Sequence, residues 1–155
     1  MKKLLAAAAV FVLILGIVIC PRPPSKSTID PTALLADTRG RQKSACYKSS
    51  RICARLRNGK MRENREYVTN PGAFDPWLTA LVPRQMSPDF TPLVESEDVI
   101  VGRPTWLLRL KPRLKHRLWR QLWIDKETHV VLAVRDWTGG NTIQDSMKTV
   151  MITYR

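Results

Sequence analysis

The side chains that could do chemistry are few. Two histidines, His116 and His129, stand outside any metal-ligand or triad spacing. Asp125, Glu127 and Asp136 could supply a carboxylate pair, but Asp125 and Glu127 fall at a hairpin-turn signal, where acidic residues stabilise the turn. Residue types and spacing therefore point away from catalysis, metal and cofactor, and towards binding.

The strongest binding signal is charge. From Val99 to Ile124 there is no acidic residue, while Arg103, Arg109, Lys111, Arg113, Lys115, Arg117 and Arg120 all fall in that stretch, with His116 among them. Strand alternation sets Arg109 and Lys111 on one face, opposite Trp106, Leu108 and Leu110, and gathers Arg113 to Arg117 at the connecting turn. The charge is thus displayed on the surface, where it attracts lipid headgroups, lipopolysaccharide phosphates, acidic proteins or nucleic acid. Trp106, Trp119, Trp123 and Trp137 interleave with these cations as in single-strand nucleic-acid sites. Trp119 and Trp123 share one strand face and Leu118, Leu122 and Ile124 the other, so one side of this strand is free to line an apolar trough.

Compartment narrows the choice of polyanion. Met1-Lys2-Lys3 precedes Leu4–Cys20, a run of 17 residues without a charge. As a helix it spans about 25 Å, close to a bilayer core. Pro21 would follow the bond cleaved after Cys20 and block cleavage, and Ile19 stands where a lipidation motif needs a small residue. A retained anchor is expected, with the domain on the extracytoplasmic side of a bacterial inner membrane, which excludes nucleic acid as the partner. The chain carries a net +13, and removing Lys2 and Lys3 takes away two charges and leaves +11, so the basicity belongs to the domain.

The segments that position these residues follow. Residues 1–20 are a signal anchor or signal peptide, 21–29 a proline-rich linker and 30–155 one domain. Asp30-Pro31 caps a short helix through Ala33–Ala36 that Gly40 limits, and Asp75-Pro76 starts a second, through Leu81. Asn58-Gly59 joins two strands between Tyr47 and Val68, with Ile52, Ala54 and Leu56 opposite Arg51, Arg55 and Arg57. Strands then follow near 93–96, 99–102, 105–111, 117–125, 129–137 and 142–154, an antiparallel meander. Cys46 and Cys53 can pair only if Ser49-Ser50 turns tightly; in one continuous strand they stay free, and the free, buried state is expected.

Val99-Ile100-Val101-Gly102-Arg103-Pro104, Leu107-Leu108-Arg109-Leu110-Lys111-Pro112, Arg117-Leu118-Trp119, Leu122-Trp123-Ile124-Asp125 and Arg135-Asp136 occur in this order. Together they resemble the N-terminal domain of the periplasmic sigma-E regulatory proteins RseB and MucB, within the superfamily of the lipoprotein carriers LolA and LolB. The resemblance covers residues 30–155 and implies an α+β fold: a curved antiparallel sheet, or half-open β-barrel, with one or two short helices. It also implies a hydrophobic cavity for lipid or lipoprotein acyl chains. The proline-interrupted stretch 70–92 is short for the family, which puts the cavity's size in question. The chain also stops at Arg155, without the second domain through which such proteins engage an anti-sigma partner.

The expected function is non-enzymatic binding of a lipid, lipoprotein or envelope-stress signal in an apolar trough lined by Trp106, Leu108, Leu110, Trp119 and Trp123. Arg103, Arg109, Lys111, Arg113, Lys115 and Arg117 contact headgroups or an anti-sigma or other envelope partner. The competing expectation is a solid sheet docking its basic face on an acidic regulatory protein.

Overall fold

The computed structural model describes residues 29–69, 81–83, 86 and 88–154. Helix α1 (Pro31–Ser44) begins as expected: Asp30 is extended, its carboxylate accepts the Thr32 N–H at 2.9 Å, and proline occupies the first helical position. It does not stop at Gly40. Leu34, Leu35, Thr38 and Gln42 are buried at helical spacing. In the last turn the Gln42 amide donates to the Tyr47 hydroxyl at 2.7 Å and accepts the Val131 N–H at 3.0 Å. That docking outweighs the roughly 1 kcal/mol a helical glycine costs.

Strands β1 (Tyr47–Arg57) and β2 (Lys60–Thr69) form the expected hairpin, with Asn58 and Gly59 at φ 49° and 72° as a two-residue turn of this type requires. β3 (Phe90–Ile100) and β4 (Arg103–Pro112) form a second. The two strands expected at 93–96 and 99–102 are instead one strand, and Val101-Gly102, at φ 54° and 72°, is its turn. Val99-Ile100-Val101 reads as strand because β-branched residues favour it, and the hairpin overrides that preference. β5 (Trp119–Asp125), β6 (Val131–Trp137) and β7 (Ile143–Tyr154) complete the meander.

All neighbours are antiparallel in one open sheet of order β2-β1-β7-β6-β5-β4-β3, so β1 pairs with the last strand rather than with β3. Register shifts at Ser50/Arg51, Val94/Ser96, Trp123/Ile124 and Asp136/Trp137 bend the strands. On the helix side, Leu34 and Leu35 share a buried cluster with Cys53, Leu81, Met86, Leu108, Leu110, Leu122, Ile124, Val134 and Met147. A second cluster joins Tyr47, Ile100, Trp123, Val130, Leu132 and Ala133. On β1 the alternation holds, yet both faces are covered: Arg51 is buried as well as Ala54.

Cys46 and Cys53, in one continuous stretch, form no disulfide with each other; Cys53 is buried, and Cys46 is exposed rather than buried. Among the described residues no helix is long and apolar enough to cross a membrane. The anchor 1–20, most of the linker, and the helix expected from Asp75 lie outside the described residues.

Candidate functional site

Lys111 is the last outward residue of β4 before the buried Pro112, and the loop that follows presents Arg113, Lys115 and Arg117 to solvent. Two contacts fix this loop. Arg113 donates its backbone N–H to the Asp89 carbonyl at 3.0 Å and pairs with the Asp89 carboxylate at 3.3 Å. On the other side, the β6–β7 turn lies directly against it: a Cβ added to Gly139 would fall 2.2 Å from the His116 Cα. Only glycine allows that approach. His116 and Asn141, at φ 60° and 59°, make the sharp bends on either side.

Between the two loops lies a cleft of about 440 Å³, lined by Lys111, Arg113, Lys115, His116, Arg117 and Trp119, with Gly139 and Asn141 on the far wall. None of the lining residues is acidic. Trp119 is stacked on Trp137 with centroids 5.1 Å apart and planes 4° from parallel, and the Arg109 guanidinium sits 5.9 Å from its centroid. Asp89 neutralises little, since both its side chain and that of Arg113 are more than half exposed and screened by water. Four permanent cations at one concave site focus a positive potential. The arrangement can hold a polyanion by charge and donor groups; it contains no nucleophile held by a base.

The remaining basic residues singled out from the sequence go elsewhere. Arg103, at the opposite end of β4, is roughly 30 Å away by strand rise. Its guanidinium is taken by the buried Asp125, reaches Glu127 at 2.8 Å, and lies over the Tyr154 ring at 4.9 Å. Burial pushes the Asp125 carboxyl up, but Arg103 and the Glu127 and Thr128 N–H groups outweigh it and hold Asp125 below the usual aspartate range. Arg109 pairs with Glu95 at 2.7 Å on the face away from the helix. Lys111, Lys115 and Arg117 pair with no acid among the described residues.

The five apolar residues do not share a face. Leu108 and Leu110 are fully buried on the helix side, with Trp106 partly buried beside them, edge-on to His129. Trp119 and Trp123 lie on the other face. There Trp123 donates to Asp98 at 2.9 Å, and Arg135 stands over Trp123 and Trp137. No single trough is lined by all five. Gly139 and Asn141 were not expected from the sequence, because Gly139-Gly140 signals only a turn; the approach of Gly139 to the His116 backbone is long-range. Among the described residues, no group of three or more His, Cys, Asp or Glu is placed to hold a metal ion.

No protein-family model and no curated protein matches the chain in sequence. Solved structures do match. The crystal structure of MucB aligns with TM-score 0.57 and 14% identity over 83% of this chain and 60% of that one. The crystal structure of MucB in complex with MucA(peri) gives 0.57 and 15%, over 81% and 56%. The Pseudomonas aeruginosa MucA/MucB complex gives 0.56 and 17%, over 81% and 57%. At these identities the likeness is one of fold: the domain has an RseB/MucB-like fold, and the chain spans less than two thirds of the MucB chains it matches.

Proposed function

We propose that this protein is a non-enzymatic binding module of the bacterial envelope, tethered by its N-terminal apolar segment, whose working surface is the cationic cleft and whose partner is an acidic segment of another envelope protein. The observation that carries this reading is the convergence of Lys111, Arg113, Lys115 and Arg117 on one concave site with no acidic lining residue. The MucB-like fold supports it, since MucB itself has been solved in complex with MucA. The fully buried Leu108, Leu110, Leu122 and Ile124 favour a solid sheet over a deep trough.

A second reading retains a lipid or lipoprotein acyl chain as ligand. It rests on Val82, Phe90, Val94, Trp106 and Leu118, which are only partly buried around the packed centre on the helix side. An acyl chain would then meet Trp106 with Leu108 and Leu110 behind it, while Trp119 and Trp123 would serve the opposite face.

The test uses the full chain in neutral detergent and a fluorescent poly-glutamate peptide. Binding is expected to weaken at least tenfold in Lys115→Glu/Arg117→Glu and steeply with added salt. Binding unchanged by the double reversal would exclude the cleft. Organic extraction and mass spectrometry of the same preparation test the second reading: an acyl lipid retained in stoichiometric amount, and lost on Trp106→Glu, would favour it.

A further inference from the structure

The two edges of the open sheet are built differently. β3 is guarded: Pro92 removes a backbone donor, and the register shift between Val94 and Ser96 breaks the edge's regularity. β2 carries neither device. It pairs with β1 without a shift from Lys60 to Thr69, and its other edge is unpaired among the described residues. It also exposes two large apolar side chains, Met61 at 42% and Tyr67 at 75%. Because Arg57 and Lys60 flank a two-residue turn, they form a hydrogen-bonded pair. By alternation the N–H and C=O groups of Met61, Glu63, Arg65 and Tyr67 point away from β1, towards solvent.

The sequence of this edge is complementary to its own reverse. If a second copy of β2 runs antiparallel about a two-fold axis at Asn64, Glu63 faces Arg65 of the partner, Arg62 faces Glu66 of the partner, and Met61 faces Tyr67 of the partner, each pair occurring twice. The outward-pointing residues meet outward-pointing residues, so the backbone hydrogen bonds form in this register. Slipping by two residues either way sets Glu63 opposite Glu63 or Arg65 opposite Arg65, and like charges directly opposite destabilise a strand pair. Glu66 also lies 3.8 Å from Arg51, and Asn64 donates to it at 3.3 Å; with two carboxylate oxygens it has room for a further donor.

We propose that two copies of this chain associate through β2, in antiparallel register centred on Asn64, joining two seven-stranded sheets into one. The interface is self-complementary, as a two-fold dimer requires. It buries Met61 against Tyr67 and pairs an edge that neither proline nor a register shift interrupts. It lies on the far side of β1 and β7 from the cationic cleft, so it stands or falls independently of the function proposed above.

Charge swapping tests it, on the full chain in neutral detergent with Cys20→Ser and Cys46→Ser removing the other accessible thiols. The wild-type chain is expected to show a dimer that dissociates on dilution in sedimentation velocity. Glu63→Arg alone and Arg65→Glu alone each set like charges opposite and are expected to be monomeric, while a mixture of the two restores the dimer. At Asn64 the two strands are close enough for a disulfide, so Asn64→Cys is expected to cross-link on mild oxidation and Ser50→Cys is not. Both charge variants alter exposed side chains, and unchanged circular dichroism confirms that they fold. A wild-type chain monomeric at every concentration, or single variants that dimerise like wild type, would overturn the proposal.

Discussion

Val101 holds a left-handed backbone, φ 54°, with a β-branched side chain that is 40% exposed. Such residues carry roughly 1–3 kcal/mol of strain, and asparagine tolerates the region far better. Val101→Asn is therefore expected to stabilise the fold by about 1 kcal/mol, read as a higher midpoint in urea with unchanged slope. Asp125 shows the opposite balance, a buried carboxylate fixed by Arg103 and two backbone N–H groups. Because its pKa is lowered in the fold, the stabilisation is fully present above the unfolded value of about 3.9 and is lost as pH falls through the lower folded value. Asp125→Asn is expected to lose about 2–3 kcal/mol at pH 7. Urea titrations at pH 7 and at pH 2 should show the gap between wild type and variant closing in acid; an equal gap at both would remove the ion pair from the account. Tyr154, in the same network, is pushed up to about 12, chiefly by burial and against a hydrogen bond from Thr128. Spectrophotometric titration of wild type against Tyr154→Phe should show the loss of one tyrosine ionisation near that value.

Helix α1 shows where local signals suffice and where they fail. Its start was legible because Asp30 and Pro31 act within one turn. Its end was not, because the contacts that carry it past Gly40 come from Gln42 reaching Tyr47 in the next element and Val131, far away in sequence. A methyl group at Gly40 meets nothing within 4 Å and needs no unusual backbone. Gly40→Ala is thus expected to raise stability by about 0.5–1 kcal/mol in thermal or urea unfolding. Among the strands, Asn58-Gly59 announced its hairpin because those residues prefer positive φ, whereas Val101-Gly102 hid one behind a strand-forming sequence. The alternation of β4 correctly set Arg109 and Lys111 opposite Trp106, Leu108 and Leu110. What alternation along one strand did not supply was the grouping across strands, so tryptophans on opposite faces were assigned to one trough. The register of β4 on β5, which sets Trp106 opposite Ile124 and Leu107 opposite Trp123, is the information that separates them.

The cationic cleft belongs to no single element. Its cations come from the end of β4 and the loop after it, its floor from β5, and its far wall from a turn more than twenty residues downstream. Basic residues close in sequence were readable as a cluster; the concavity that concentrates their field was not, since it depends on Gly139 lying against the His116 backbone. That contact separates shape from charge. Gly139→Ala leaves every cation in place but forces the loops apart, because the added carbon would sit 2.2 Å from a main-chain atom. Gly140→Ala, next along the chain, meets nothing nearer than the Thr138 hydroxyl at 3.8 Å. If binding depends on a formed cleft, Gly139→Ala is expected to weaken poly-glutamate binding several-fold and to destabilise the fold by about 1–3 kcal/mol, with Gly140→Ala close to wild type in both. If net charge alone attracts the partner, both variants bind equally well and only the salt dependence remains. Parallel anisotropy titrations and urea melts of the two alanine variants decide between these outcomes.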